Sequence, residues 1–247
     1  MVYSSFNGSS GKITVSGYRG VLADRHRAVS VWLRTAQSGI GTICYWGEDL
    51  TDKDYVEGSQ SRVRLIGGHL QLFGLGSFRE TASQVNDGNW HNIVFNWTST
   101  AAAPGHEDFS TADVYIDNVF DNGRSYERTG RVGEGLSAQA INTPEEEEVI
   151  IGARPGFSGI GFDEFYEGDM DEFAIYNDFL HSNTISGVYN EGTPGVDLKT
   201  LDQVPALQLW YTMGDDPGDS APGTMVDQAF IDPNGRNGTV SSGVIII

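Results

Sequence analysis

The acidic side chains best placed to do chemistry lie in one short stretch, Glu167-Gly168-Asp169-Met170-Asp171-Glu172. Alternate residues of a β-strand share one face, so an extended conformation would align Glu167, Asp169 and Asp171. Two carboxylates held about 5–5.5 Å apart can act as the nucleophile and the acid/base of a retaining glycosidase. If the chain is an enzyme, its candidate catalytic residues are Glu167, Asp169 and Glu172, which fit a Glu-x-Asp-x-(x)-Glu pattern.

Aromatic rings near polar side chains indicate a second kind of chemistry, the binding of sugars. Carbohydrate sites combine exposed ring faces with a few polar groups that fix the ligand. Such rings flank the acidic residues 48–54 and the glycine-rich residues after position 154. The alternative is that these rings complete the edge of the core. The predicted ligand-binding residues are Trp46, Asp52, Tyr55, Arg154, Phe157 and Phe162.

The bulk composition limits the classes of partner. The 247 residues include 34 acidic and 15 basic side chains, for a net charge of −19. Nucleic acids and anionic membrane surfaces attract clustered Lys and Arg, so neither is expected as a partner. A single cysteine, Cys44, permits no intramolecular disulfide. We recognise no N-terminal signal peptide, and the apolar runs are too short to cross a bilayer.

Short strands joined by turns must position these side chains. The 32 glycines and the 11% of aromatic residues favour such elements. Residues 29–33 and 93–97 alternate, with apolar side chains at the odd-numbered positions that we expect to face the core. Trp32, Trp90 and Trp97 are all assigned to the core.

A hairpin and one helix complete the predicted elements. Gly67-Gly68 separates two alternating runs, and two glycines accept the positive φ values of a tight turn. Residues 181–189 form the one expected helix, with Ser182 as its N-cap residue.

Three pieces in a fixed order give the chain its most specific pattern. They are residues 87–97, residues 112–119, and residues 150–154 followed by 166–177 and Leu180. In this order they resemble the laminin-G-like, concanavalin-A-like jelly roll. The resemblance implies an all-β fold, a two-sheet antiparallel β-sandwich, with one short helix near residues 182–190.

The last forty residues resemble the opening of the same fold, although they come at its end. Leu207-Gln208-Leu209-Trp210 reads as a strand, and an acidic turn and the glycine-rich residues 234–238 follow it. We interpret the order as a circular permutation of one domain spanning residues 1–247. Residues 207–247 would then supply strands that pair with the N-terminal region, with 244–247 beside 13–15. The alternative is the start of a second repeat.

The resemblance also implies a structural calcium ion. Ca²⁺ takes six to eight oxygen ligands, and by position the candidates are Asp171, Asp215 and Asp227. The alternative is that each is a turn aspartate whose carboxylate accepts hydrogen bonds from backbone N–H groups.

The resemblance favours a non-enzymatic binding or structural module. Laminin-G-like domains of this acidic, cysteine-poor style imply a bacteriophage virion surface or decoration protein, with a glycan or a capsid or tail protein as partner. A homo-oligomer is an open alternative, and the location would be the virion surface or outside the cell. A lectin domain of a secreted protein is the second hypothesis. The third is a hydrolase resembling the β-glucanases, in which Gly168 stands where an apolar residue is expected.

Overall fold

Alternation of apolar and polar residues along short strands produces two antiparallel sheets. A computed structural model describes residues 2–48, 58–74, 77–98, 109–127, 141–156, 161–229 and 236–247. In these ranges the elements are mostly strands, and the helix α1 spans Ser182–Tyr189. The predicted all-β sandwich with one short helix is confirmed.

The first sheet contains the strand with the acidic stretch. Its order is β10-β9-β8-β3-β15-β1-β19, and β16 also pairs with β15. The strands are β1 (Ser4–Asn7), β3 (Arg27–Arg34), β8 (Trp90–Trp97), β9 (Asp113–Ile116), β10 (Val119–Phe120), β15 (Glu167–Tyr176), β16 (Leu207–Tyr211) and β19 (Val244–Ile246).

The second sheet has the order β11-β7-β6-β5-β4-β12-β2-β18-β17. Its strands are β2 (Ile13–Val15), β4 (Ile40–Gly47), β5 (Gln60–Ile66), β6 (His69–Gly74), β7 (Ser77–Glu80), β11 (Arg124–Glu127), β12 (Glu147–Ile151), β17 (Gly223–Met225) and β18 (Gly238–Val240). A separate pair is formed by β13 (Arg154–Pro155) and β14 (Phe162–Asp163). The hairpin between β5 and β6 turns at Gly67-Gly68, with φ values of 60° and 87°, which confirms that prediction.

The main core lies between the two sheets. It contains the apolar residues at positions 29, 31 and 33 of β3 and at 93, 95 and 97 of β8, as the alternation predicts. Burial of these side chains supplies the main driving force for the sandwich. Each inward residue leaves its strand neighbours on the outer face of its sheet.

A second core covers part of the outer face of the first sheet. There α1 packs through Ile185 and Val188 against side chains of β3, β8 and β15. Trp32 lies on this face and stacks on Tyr189, with ring centroids 6.0 Å apart. The helix differs from expectation at its start, because His181 rather than Ser182 is the N-cap residue and no side-chain cap bond forms. Within the ranges that the structure describes, no helix is long and apolar enough to span a membrane.

Strands near the C-terminus pair with strands near the N-terminus in both sheets. In the second sheet β18 pairs with β2, joining Val240 to Ile13. In the first sheet β19 pairs with β1, joining Val244 to Phe6. The prediction that residues 244–247 lie beside 13–15 is therefore wrong. The chain between β18 and β19 crosses to the other sheet, so the last strand meets β1.

Candidate functional site

A polar cleft lies on the outer face of the first sheet, at the end that α1 leaves uncovered. Its volume is about 460 Å³, within the range of roughly 300–1,000 Å³ typical of small-molecule sites. Phe6 supplies apolar lining from beneath, and its ring is only 2% exposed. The polar lining residues are Ser5, Asn7, Arg34, Thr35, Gln37, Glu167 and Asp169.

Strand register brings these side chains together. Arg34 pairs with Trp90 on β8 and with Asp169 on β15, and Asp169 pairs in turn with Ser5 on β1. Their strand neighbours Phe6, Leu33 and Met170 belong to the main core. The side chains of this row therefore point away from the core, onto the face that carries the cleft.

Arg34 is held in one position by a carboxylate and two rings. Its Nε donates to Asp169 Oδ2 at 2.8 Å, and its Nη2 donates to the Tyr3 hydroxyl at 3.0 Å. The guanidinium carbon lies 5.1 Å from the Tyr3 ring centre and 5.0 Å from that of Trp90, in the range of cation–π contacts. The hydrogen bond to Asp169 raises the pKa of Arg34. The cleft thus has a permanently charged and well-supported donor.

Gly168 allows β15 and β3 to approach closely beneath the cleft. Its φ is 145°, and a Cβ there would lie 2.5 Å from the Arg34 carbonyl oxygen and 2.7 Å from the Tyr166 hydroxyl. Both the conformation and the contact with backbone exclude a larger residue. The glycine that departs from the β-glucanase pattern is thus required by the packing at this point.

The loop after β3 fixes the backbone of Glu167. The Thr35 hydroxyl donates to the Glu167 carbonyl at 2.6 Å, and the Glu167 N–H donates to Gln37 Oε1 at 3.1 Å. The side chain of Glu167 is exposed and extends over Gly8. In the part of the chain that the structure describes, its carboxylate has no hydrogen-bond or ion-pair partner. Glu167 therefore has a fixed backbone and a free carboxylate.

The turn Asp87-Gly88-Asn89 forms one rim of the cleft. The Gly88 N–H donates to the Thr35 carbonyl at 3.0 Å. His91 ties the turn to the sheet, with its Nδ1 at 2.8 Å from Asp117 Oδ2 and its Nε2 at 3.2 Å from Asp87 Oδ1. Burial opposes the charged imidazole, but the bonds to Asp117 and Asp87 outweigh it and raise the pKa of His91.

The predicted catalytic residues do not come together. A bulge interrupts the pairing of β15 with β3 after Asp171, and Glu172 has a φ of 49°. Glu172 lies five residues from Glu167, or about 16 Å along a strand, far beyond the separation that a retaining pair needs. Its Oε2 accepts a bond of 2.5 Å from Trp210 Nε1. The predicted set Glu167, Asp169 and Glu172 is therefore wrong as one centre.

Asp171 and Glu172 instead form a buried acidic pair. Their exposures are 1% and 5%. Burial, followed by repulsion from Glu172 and Asp215, raises the pKa of Asp171 to about 8. Burial also raises the pKa of Glu172 to about 7, against the opposing effect of the Trp210 hydrogen bond.

The three predicted calcium ligands are not assembled around one point. Asp215 Oδ1 accepts a bond from the Val2 N–H at 3.1 Å, and Asp171 Oδ1 accepts one from the Glu172 N–H at 2.9 Å. Asp227 Oδ1 accepts bonds from the N–H groups of Trp210 and Ala229, as a turn aspartate does. Across the residues that the structure describes, no group of three or more His, Cys, Asp or Glu side chains could hold a metal ion. These three aspartates do not fit a shared ion, and calcium binding stays a prediction.

The three predicted sugar-binding residues that the structure describes, Trp46, Arg154 and Phe162, do not line the cleft. Trp46 has 0% exposure and its Nε1 donates to the Val21 carbonyl at 3.1 Å. It offers no ring face to a ligand, so that prediction is wrong for Trp46. Asp52, Tyr55 and Phe157 lie outside the described residues.

Arg154 and Phe162 lie on the paired strands β13 and β14. Arg154 Nε lies 2.8 Å from Asp163 Oδ1 and 3.1 Å from Glu164 Oε1, and its side chain is 7% exposed. Phe162 is 37% exposed, and the Lys12 ammonium lies 4.2 Å from its ring centre. Their role in ligand binding stays a prediction.

Sequence reasoning missed the residues that support the cleft, which are Tyr3, Arg34 and Trp90. The prediction that Trp90 belongs to the core is wrong, because Trp90 is only half-buried and lies beside Arg34, whereas Trp32 and Trp97 are buried. A usable signal was present. Arg34 and Trp90 each lie at the end of a strand whose odd-numbered residues face the core, so both even-numbered side chains must face outward.

The two packed sheets define a β-sandwich jelly roll of the concanavalin-A-like class, as the resemblance predicted. A candidate carbohydrate binding protein from Bacteroides ovatus aligns with a TM-score of 0.63 and 16% identity, over 100% of this chain and 59% of that one. The chain thus spans less than two thirds of that protein.

Two further solved structures share the fold. The heptameric SAP-like pentraxin from Limulus polyphemus aligns with a TM-score of 0.55 and 15% identity, over 99% of this chain and 94% of that one. The CBM40 of the Ruminococcus gnavus IT-sialidase, bound to α2,3-sialyllactose, aligns with a TM-score of 0.50 and 10% identity, over 76% and 98%. No protein-family model and no curated protein sequence matches the chain. At these identities the likeness establishes the fold alone.

Proposed function

We propose that this protein is a non-enzymatic carbohydrate-binding module and that the cleft beside Arg34 is its sugar site. The observation that carries the proposal is the set of unengaged polar atoms around Arg34. In the described part of the chain, Arg34 Nη1, Asp169 Oδ1 and the Glu167 carboxylate have no hydrogen-bond partner. The other polar atoms of the Arg34 and Asp169 side chains are already hydrogen-bonded, to each other and to the Tyr3 hydroxyl.

These atoms suit the hydroxyl groups of a sugar. Each hydroxyl can donate one hydrogen bond and accept others. Arg34 Nη1 donates, and Asp169 Oδ1 and Glu167 accept. Because Arg34 is already fixed by Tyr3, Trp90 and Asp169, little side-chain freedom is lost on binding, which favours affinity.

The solved structures that share the fold support the same class of ligand. The Bacteroides ovatus protein is a candidate carbohydrate-binding protein, and the Ruminococcus gnavus module is bound to sialyllactose. These similarities support a sugar as the class of ligand, but they do not show where on this protein a sugar binds.

A glycoside hydrolase is the less favoured function. Asp169 is bound to Arg34 with Oδ2 at 2.7 Å from Nη2, and Glu172 is buried against Trp210 at the other half of the strand. Neither carboxylate is therefore free to act with Glu167 as the second group of a glycosidase pair.

The test is a glycan array followed by NMR titration of the sugars that bind. Arg34→Met should abolish binding, since it removes the fixed donor. The matched control is Arg25→Met, which removes the same charge from an exposed residue away from the cleft. Equal binding by wild type and Arg34→Met would refute the cleft as the site, and an array without any bound glycan would refute the function.

We also propose, from the resemblance alone, that the module acts at the surface of a bacteriophage particle or outside a cell. Its partner there would be a glycan or a capsid or tail protein. Mass spectrometry of purified particles and of the culture medium tests the location. Loss of the protein from washed particles would contradict the particle surface, and its absence from both samples would contradict the proposal.

A further inference from the structure

The charges inside the cleft indicate which sugars it accepts. We propose that the cleft prefers sugars that carry a protonated amino group over neutral sugars, rejects acidic sugars, and uses Glu167 as the discriminating side chain. This inference rests on the proposed sugar-binding function of the cleft.

The cationic charge in the cleft is already compensated. Arg34 is the positively charged lining residue, and Asp169 Oδ2 lies 2.7 Å from its Nη2. Glu167 is the remaining charged lining residue. One guanidinium and two carboxylates leave the cleft with one uncompensated negative charge, which belongs to Glu167.

Glu167 is well placed to bind a cation. Its backbone is fixed by Gln37 and Thr35, and its exposed carboxylate lies over Gly8 at the cleft. An ammonium group on a sugar ring would form an ion pair as well as a hydrogen bond there, which adds a Coulombic attraction that a neutral hydroxyl lacks. Because the carboxylate has only acceptor atoms, the ligand must supply the donor.

An acidic sugar would meet unfavourable charges in the same place. Its carboxylate would need Arg34, which already binds Asp169, and would lie close to Glu167. Asp87, whose side chain is 53% exposed, adds a further negative charge at the rim. The net charge of −19 also repels anions at longer range. The cleft should therefore differ in selectivity from a module that binds sialyllactose.

The experiment compares sugars that differ in a single group. The probes are the methyl glycosides of galactose, galactosamine and galacturonic acid, and of the corresponding glucose series, titrated by NMR at 50 mM and 500 mM salt. We expect the amino sugar to bind about fivefold to tenfold more tightly than the neutral one at low salt. The acidic sugar should bind at least tenfold more weakly than the neutral one. The preference for the amino sugar should shrink at high salt, because screening weakens the ion pair.

Two variants assign the preference to one side chain. Glu167→Gln keeps the shape and should bring the ratio of amino-sugar to neutral-sugar affinity close to one. Glu145→Gln removes the same charge from an exposed residue outside the cleft and should leave the ratio unchanged.

The outcomes separate this inference from the proposed function. Neutral and amino sugars bound equally, or an acidic sugar bound most tightly, would overturn the charge selectivity while the sugar-binding function stands. A preference that survives in Glu167→Gln would overturn the role of Glu167. Failure of all six glycosides to bind, together with an empty glycan array, would overturn both.

Discussion

Two pairs of carboxylates on the same strand have opposite surroundings. Glu167 and Asp169 begin β15 in an open cleft, where Asp169 is paired with Arg34. Asp171 and Glu172 follow directly, yet both are buried and neither has a described arginine or lysine as an ion-pair partner. The first pair is ready to meet a ligand, whereas the second is enclosed by the protein.

The difference comes from what covers each half of the outer face. The second core, which includes Trp210, covers the half that contains Asp171 and Glu172. The bulge, where Glu172 has a positive φ, turns the Glu172 side chain towards Trp210. Over the other half, the described residues beside the sheet are the loop after β3 and Gly88 at the rim, and they leave the cleft open. Burial and counter-charge, rather than the acidic motif, decide what each carboxylate can do.

The largest expected effect concerns the buried pair. The pKa values of about 8 for Asp171 and about 7 for Glu172 exceed their unfolded values near 4. The folded state then binds more protons than the unfolded state between about pH 4 and pH 8. The contribution of this pair to stability should therefore be greatest at acidic pH and fall by about 6 kcal/mol between pH 5 and pH 8.5. Urea unfolding at a series of pH values measures this.

The variant Asp171→Asn should flatten the pH dependence, while the exposed control Asp202→Asn should not. A wild-type stability that is constant across this range would mean that the pair is hydrated or neutralised. Repeating the series with EGTA and with Ca²⁺ tests the calcium prediction, because an ion that binds only the folded state stabilises it by mass action. Identical curves would contradict calcium binding.

The next largest effect tests the packing beneath the open half. Gly168→Ala should cost about 1–3 kcal/mol of stability, because a Cβ would lie 2.5 Å from the Arg34 carbonyl oxygen. Gly67→Ala is the matched control, with a φ of 60° and nothing within 4 Å of an added Cβ. It should cost less, since it has the backbone strain without the collision. Equal costs for the two variants would show that β15 and β3 are not tightly apposed.

Some of this arrangement follows from sequence, and some does not. The face on which Asp169 lies follows from strand alternation, and the sandwich is what the resemblance to the laminin-G-like jelly roll implies. The bulge at Glu172 does not, because it depends on the pairing with β3 and on Trp210, which is distant in sequence. The burial of Trp46 does not follow from its local sequence either, since its indole is covered by residues near Val21. Local patterns fix strand faces, whereas burial depends on which distant segments lie above them.

A smaller effect is expected for the ion pair in the cleft. The side chains of Arg34 and Asp169 are 34% and 15% exposed, and partly exposed pairs contribute about 0.2–1 kcal/mol. A double-mutant cycle of Arg34→Met and Asp169→Asn, measured by urea unfolding, should give a coupling energy in this range. A coupling above about 2 kcal/mol would mean that the pair is desolvated as a buried pair is, which would remove the contrast between the two halves.

The smallest effect concerns His91 at the rim of the cleft. Its pKa is raised by Asp117 and Asp87, so its contribution to stability is fully present below the unfolded pKa of about 6.5 and is lost as the pH rises through the folded value. In the Asp171→Asn background, His91→Gln should cost about 0.5–1 kcal/mol at pH 5.5 and less at pH 9. The control His181→Gln changes an exposed histidine outside the cleft. A cost that is the same at both pH values would mean that His91 stabilises the rim turn by packing and not through its charge.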